Sequence, residues 1–171
     1  QKATLKADWI NKFKNKEKGK DNIARGIGLA CCLHVSGNRT FLPFFDGATA
    51  FLRINEEGKV TVHIGEPDIG QGSKTVMAQI AADELGITPE EIYVENVDTD
   101  ISPHGLGTFA DRVTTLAGNA VKKAAENARR VVLEYAARQL EIPDEDLFFE
   151  DGFIIAKKQS GLKISFKEVA K

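Results

Sequence analysis

The stretch LGITPEEIYVEN, residues 85–96, holds a complete change of secondary structure. Leu85 closes an apolar stripe of helical period, and Gly86 stands where a left-handed residue ends a helix. Thr88, Pro89 and Glu91 then read as a cap, a first-turn proline and the acidic half of a capping box. A strand follows over residues 92–97, IYVENV. The same order returns in LEIPDEDLFFED, residues 140–151. The echo implies two helix–turn–strand units side by side, not a repeat array.

Reading outward, Val76, Met77, Ile80, Ala81 and Leu85 mark one helix face, with Ser73 as the expected N-cap. Before it, ATAFLRI (48–54) and KVTVHI (59–64), joined by NEEG, read as a β-hairpin. Alternation places Val60, Val62 and Ile64 inward and His63 on the solvent side with Lys59 and Thr61. A long helix is expected from 113 to about 140, with Ala117, Ala120, Ala124 and Ala128 along one side. Asp151-Gly152 links LFFE to FIIA as a second hairpin. Ser165 and Glu168 then open a final helix, and the chain stops as that helix begins, as expected of a fragment. The fold class is α+β: a mixed sheet with β-hairpins, two helix–turn–strand units, and one long helix packed on the sheet.

The N-terminal part reads differently. Residues 3–16 have helical period through Leu5, Trp9, Ile10 and Phe13, and KGKDN at 18–22 breaks it. We therefore expect a helix and linker over 1–22 and an α+β domain over 23–171. ARGIGLACCLHVSG, from residue 24, reads as an apolar strand with Cys31 and Cys32 buried as small apolar side chains. Adjacent cysteines lack the spacing of a C-x-x-C metal or redox site, and a reducing, cytoplasmic setting fits them.

At 171 residues and 42% apolar, the chain is one domain's worth, large enough for its own core. A formal net charge of −2 argues against a general nucleic-acid binder. The first twenty residues carry seven lysines, but without an aromatic platform they read as a solvated helix face. No apolar run is long enough for a transmembrane helix.

There is no G-x-S-x-G elbow, H-E-x-x-H pair or G-x-x-x-x-G-K-[ST] loop, and no Cys/His cluster for a metal. His104 alone among the histidines sits in a loop suited to a site, without a recognisable partner. Asp98 and Asp100 are too few for a calcium site and read as loop caps. Two loops remain. Gly70-Gln71-Gly72-Ser73 enters one helix, and Gly107-Thr108-Phe109-Ala110-Asp111-Arg112 enters the long one. Backbone N–H groups at a helix entrance seat anions, and Gln71 can both donate and accept. The residues alone leave two readings open, an anion cradle and ordinary glycine turns.

KVTVHIGEPDIGQGSKTVMAQIAADELGI followed by VDTDISPHGLGTFADRVTTLAGNAV resembles the large subunit of the molybdenum hydroxylases. That family includes xanthine dehydrogenase, aldehyde oxidase, carbon monoxide dehydrogenase and 4-hydroxybenzoyl-CoA reductase. The resemblance runs from about residue 24 to ISFKEVA at 164, and its glycine-threonine loop is closest to the last two branches. It implies that Gln71, between Gly70 and Gly72, meets the pterin of a molybdopterin cofactor, with Ser73 in the same loop. Phe109 and Ala110 would lie nearest molybdenum, and Thr108, Asp111 and Arg112 around the phosphate end. Many relatives carry serine at the position of Asp111, where a carboxylate beside a pyrophosphate needs an offsetting positive group.

The resemblance further implies a cytosine dinucleotide form of the cofactor and no protein ligand to the metal. Iron–sulfur clusters and FAD would sit on partner subunits or domains. The reaction would be hydroxylation, or the reverse reduction, of a small molecule such as an aldehyde, N-heterocycle or aromatic acyl-CoA. Glu66 does not match the family's catalytic glutamate, which lies C-terminal to the matched region. This chain would supply two cofactor loops, dock with the remainder of the molybdenum subunit, and be inert alone. Neither nucleic acid nor membrane is an expected partner. The alternative is a non-catalytic nucleotide- or anion-binding or subunit-assembly domain of the same fold.

Overall fold

The computed structural model describes residues 2–14, 23, 26–34, 36, 46–159 and 161–171. The chain divides into two units, Gln1–His34 and Val35–Lys171.

In the first unit the expected single helix is two, α1 (Lys2–Lys6) and α2 (Trp9–Lys14). Asp8 breaks it with φ 51°, a left-handed conformation that aspartate tolerates better than most residues. Its carboxylate then accepts the Asn11 amide at 2.8 Å, and Trp9 stacks on Phe13 with ring centroids 5.4 Å apart. Residues 26–34 form no strand, and Cys31 and Cys32 are exposed, which corrects the reading of a buried strand. A strand needs a ladder, and this run pairs with none of the described residues; Leu33 is accordingly 96% exposed. The expected break at 18–22 lies outside the described residues.

In the second unit, β1 (Ala50–Ile54) and β2 (Val60–Ile64) form the expected antiparallel hairpin. The Asn55 side chain shapes its turn by accepting the Glu57 and Lys59 N–H groups. From β2 the chain passes through α3 (Ser73–Leu85) and returns as β3 (Ile92–Val94), parallel to β2. Both connecting signals hold: Gly86 is left-handed at φ 62°, and Thr88 and Glu91 form a capping box around a short 3₁₀ turn. Helix α4 (Gly118–Leu140), entered through a π turn at Val113–Ala117, completes the pattern.

The second helix–turn–strand unit leads from α4 into β4 (Leu147–Glu150). Strands β5 (Phe153–Ala156) and β6 (Lys163–Ser165) complete an antiparallel sheet, followed by α5 (Phe166–Val169) with the expected Ser165–Glu168 box. Asp151 and Gly152 both take positive φ, as a tight hairpin turn requires. The α+β class holds, with the strands divided between two three-stranded sheets, β1-β2-β3 and β4-β5-β6.

Helices α3 and α4 pack on each other and on the first sheet. Val60, Val62, Met77, Ala81, Leu85, Val121 and Ala125 are fully buried in this core. Removing a leucine side chain such as Leu85 from water contributes about 1.5–3 kcal/mol. The helices approach closely because Gly118 has no side chain: a Cβ there would lie 3.0 Å from the Ile80 Cδ1. This packing fixes the starts of α3 and α4, and hence the two loops that enter them.

Candidate functional site

The first loop is built by its own residues. Asp68 turns its carboxylate back on the chain, one oxygen accepting the Gly70 N–H at 2.8 Å. Its other oxygen accepts the Lys74 N–H and the Ser73 hydroxyl, both at 3.2 Å. The Gly70 and Lys74 N–H groups, with the Ser73 hydroxyl, hold the Asp68 carboxyl below its usual range. Gly72, and not Ser73, holds the N-cap position, and the acceptor for the Lys74 N–H in the first turn is the Asp68 carboxylate; Ser73 is the first helical residue and is buried. Of the two readings left open for α3's N-terminus, an anion cradle and an ordinary turn, this arrangement favours the turn, because a carboxylate of the chain already accepts the Lys74 N–H.

Gln71 is placed differently. Its Oε1 accepts the Ile69 N–H at 2.7 Å, leaving the amide N–H pair with no acceptor among the described residues. Gly70 and Gly72 flank it with φ 103° and 79°, and a Cβ at either would meet nothing within 4 Å. The loop thus exposes bare backbone around a fixed amide donor.

The second loop is held from a distance. The Thr108 hydroxyl donates to the Pro67 carbonyl, and the Ser36 hydroxyl donates to the Asp111 carboxylate. Ala110 and Asp111 lie consecutively in the left-handed region, at φ 50° and 55°, a conformation that costs a non-glycine residue about 1 kcal/mol. Phe109 is 42% exposed, its ring 5.5 Å from the Arg112 guanidinium carbon.

Arg112 joins the loops. Its side chain is 1% exposed and its guanidinium faces inward. Nε donates to Asp46 at 3.1 Å, and Nη1 donates to Glu66 at 2.7 Å and to the Gly107 carbonyl at 2.8 Å. Nη2 donates to the Gly47 carbonyl. Beneath this cluster the two backbones touch at Gly65 and Gly105, where a Cβ on Gly105 would lie 2.6 Å from the Gly65 carbonyl carbon. Gly105 also bridges to Ala48. Glu66, 1% exposed with Oε2 unpartnered, was not singled out as part of the site by its sequence position. The only signal available was a carboxylate just ahead of a glycine loop.

A groove of about 410 Å³ runs beside the first loop to the end of β3, lined by Glu66, Asp68, Glu95, Lys74 and Asn96 among others. With Glu66 paired to Arg112, the carboxylates of Asp68 and Glu95 against one ammonium still make it unsuited to a phosphate. His104 is exposed, with no carboxylate paired to it among the described residues. His63 is not solvated as expected: it is half-buried, stacked on Phe51 at 4.3 Å with Nδ1 buried and unpartnered. Its neighbour in register is Phe51, and ring stacking across the pair covers it. Asp98 caps its own loop, accepting the Asp100 N–H, as expected. Among the described residues no group of three His, Cys, Asp or Glu side chains is placed to hold a metal. No helix of the described residues is long and apolar enough to cross a membrane.

The sequence profile of the molybdopterin cofactor-binding domain matches residues 2–171, and the chain belongs to that family. Subunit gamma of the 6-hydroxypseudooxynicotine dehydrogenase complex of Paenarthrobacter nicotinovorans is 35% identical over 168 residues, covering 96% of this chain and 20% of that subunit. The carbon monoxide dehydrogenase large chain of Afipia carboxidovorans is 34% identical over 148 residues, covering 84% of this chain and 18% of that one. Quinoline 2-oxidoreductase from Pseudomonas putida 86 superposes with a TM-score of 0.70 at 31% identity, covering 79% of this chain and 18% of that one. The chain thus spans about a fifth of the length of these relatives.

Proposed function

We propose that this chain is the part of a molybdenum hydroxylase large subunit that holds the molybdopterin cofactor between two loops. One observation carries the reading. The Gly70–Ser73 and Gly107–Arg112 loops, 34 residues apart between their facing ends, are drawn together by the Thr108–Pro67 hydrogen bond and the Arg112–Glu66 ion pair.

The residues fit such a group. The Gln71 amide offers a donor to a pterin oxygen or nitrogen, and the bare backbone at Gly70, Gly72 and Gly107 admits a bulky ligand to main-chain distance. Phe109 and Asp111 are the exposed residues of the second loop, with Ala110 half-buried between them. Ser73, Thr108 and Arg112 act from behind, through bonds within the protein, and the Asp111 carboxylate accepts a hydrogen bond from the Ser36 hydroxyl. When bound, the cofactor supplies the redox chemistry for hydroxylation, or the reverse reduction, at a carbon centre. The chain's own residues bind and orient it.

The cytosine dinucleotide form, partner iron–sulfur and flavin subunits, a small organic substrate and a cytoplasmic location complete the reading. So does a catalytic glutamate contributed from outside residues 1–171. The names of the relatives, a dehydrogenase-complex subunit and a dehydrogenase large chain, support multi-subunit partners. In this reading residues 23–171 are the cofactor domain, 1–22 are its N-terminal extension, and the isolated chain is inactive.

The test is metal and nucleotide content of the full-length gene product, made with its neighbouring subunits in a molybdenum-competent host. Near-stoichiometric molybdenum and cytidine nucleotide, reduced in a folded Gln71→Ala variant, is the expected result. Folded wild-type protein with neither would overturn the reading and leave a non-catalytic assembly domain.

A further inference from the structure

We infer that Arg112 and Glu66 are positioning residues: a buried latch that sets the spacing of the two loops without touching what they hold. The inference rests on the cofactor reading above and assigns these two side chains a role distinct from ligand contact.

The Arg112 guanidinium faces inward. Four protein acceptors surround it: the carboxylates of Asp46 and Glu66 and the carbonyls of Gly47 and Gly107. They come from three separate segments: the approach to β1, the first loop and the second loop. Arg112 is the only described side chain bonded to all three. The planar fork of arginine suits this, because its donors leave in fixed directions and define the positions of the groups that accept them. An ammonium on a flexible stem would supply the charge without the angles.

Glu66 is the complementary half. Its side chain is 0% exposed, and its single bond at 2.7 Å to Nη1 is the shortest side-chain tie between the two loops for which both ends are fully buried. Low local dielectric strengthens that tie and penalises its rupture, since each charge would otherwise stand unpaired away from water. The Gly65–Gly105 backbone contact sets how close the segments come, and the latch sets how they are angled about it. A ligand held by backbone groups of two loops needs those groups within a fraction of an ångström of their working positions.

The latch is separable from general stability. The full-length protein with its partner subunits is compared with Glu66→Gln, Arg112→Lys and a core control, Leu85→Ala, at a temperature where all are folded. Two readouts are taken: loss of molybdenum and nucleotide on dilution, and hydrogen exchange of loop amides in cofactor-free protein. The latch predicts cofactor loss about tenfold to a hundredfold faster in Glu66→Gln and Arg112→Lys, as for other outer-shell supports, with Leu85→Ala close to wild type. It also predicts faster exchange at residues 107–112 in Glu66→Gln, although the change lies in the other loop. Cofactor loss that follows melting temperature across all three variants, or Arg112→Lys behaving as wild type, would overturn the latch. Wild-type protein that holds no cofactor would overturn the cofactor reading instead. The exchange experiment would then decide the latch by itself: unchanged exchange at 107–112 rejects it.

Discussion

The two glycine-bearing loops reach similar positions at helix entrances by opposite means. The first is tied by bonds that span at most six residues, from Asp68 to Gly70, Ser73 and Lys74 and from Gln71 to Ile69. The second is tied by bonds that span 41 to 75 residues, from Thr108, Arg112 and Asp111 to Pro67, Glu66, Asp46 and Ser36. The first places glycine at its left-handed positions, Gly70 and Gly72; the second places Ala110 and Asp111 there as well as Gly107. A locally tied loop forms with its helix. One tied at long range forms only when the fold has brought its partners to it, and so can carry strain that local structure would not tolerate.

Four substitutions separate these modes. Arg112→Met is expected to have the largest effect, because it strands Asp46 and Glu66 as buried carboxylates. A loss of about 3–5 kcal/mol in denaturant unfolding is expected. A loss under 1 kcal/mol would mean that the second loop is not held by this cluster.

Ala110→Gly should do the reverse on a smaller scale. Relieving one left-handed alanine is expected to stabilise by about 1 kcal/mol, less the added entropy of the unfolded chain. An equal change at Gly72, Gly72→Ala, is expected to destabilise by a similar amount, since there the glycine already serves.

Asp68→Asn should have the smallest effect and a pH signature. Asp68 has a folded pKa below its ordinary 3.8, so its contribution is present above that value and lost as pH falls through the folded pKa. Wild type and Asp68→Asn should therefore differ at neutral pH and converge in acid. A constant difference across the titration would remove Asp68 as the charged cap of α3.

The same contrast explains what could be read from the sequence. Gly86, the Thr88–Glu91 box, Asp151-Gly152 and the Ser165–Glu168 box act within a few residues, and all four formed as expected. Helices α3 and α4 and the first hairpin followed from periodicity, which local spacing encodes. Misreadings fell where a partner distant in sequence or absent decides the outcome. His63 needed Phe51 beside it, and residues 26–34 needed a strand to pair with. The cap was misplaced at Ser73: Gly72 holds that position, and the Asp68 carboxylate reaches the helix start only through the bend at Gly70 and Gly72. Arg112 was legible as a loop residue and as a positive charge. That its charge is matched inward, by Glu66 and Asp46, depends on the tertiary fold and left no mark on neighbouring positions.

Central to the account is that two loops, one locally built and one assembled at long range, form a single cofactor seat. Hydrogen exchange at the amides of residues 69–73 and 107–112, in full-length protein with and without its molybdopterin cofactor, tests this most directly. The account predicts that both loops gain protection together on loading, and that both lose it in Gln71→Ala. Protection of one loop alone, or of neither in protein shown to carry the cofactor, would contradict it.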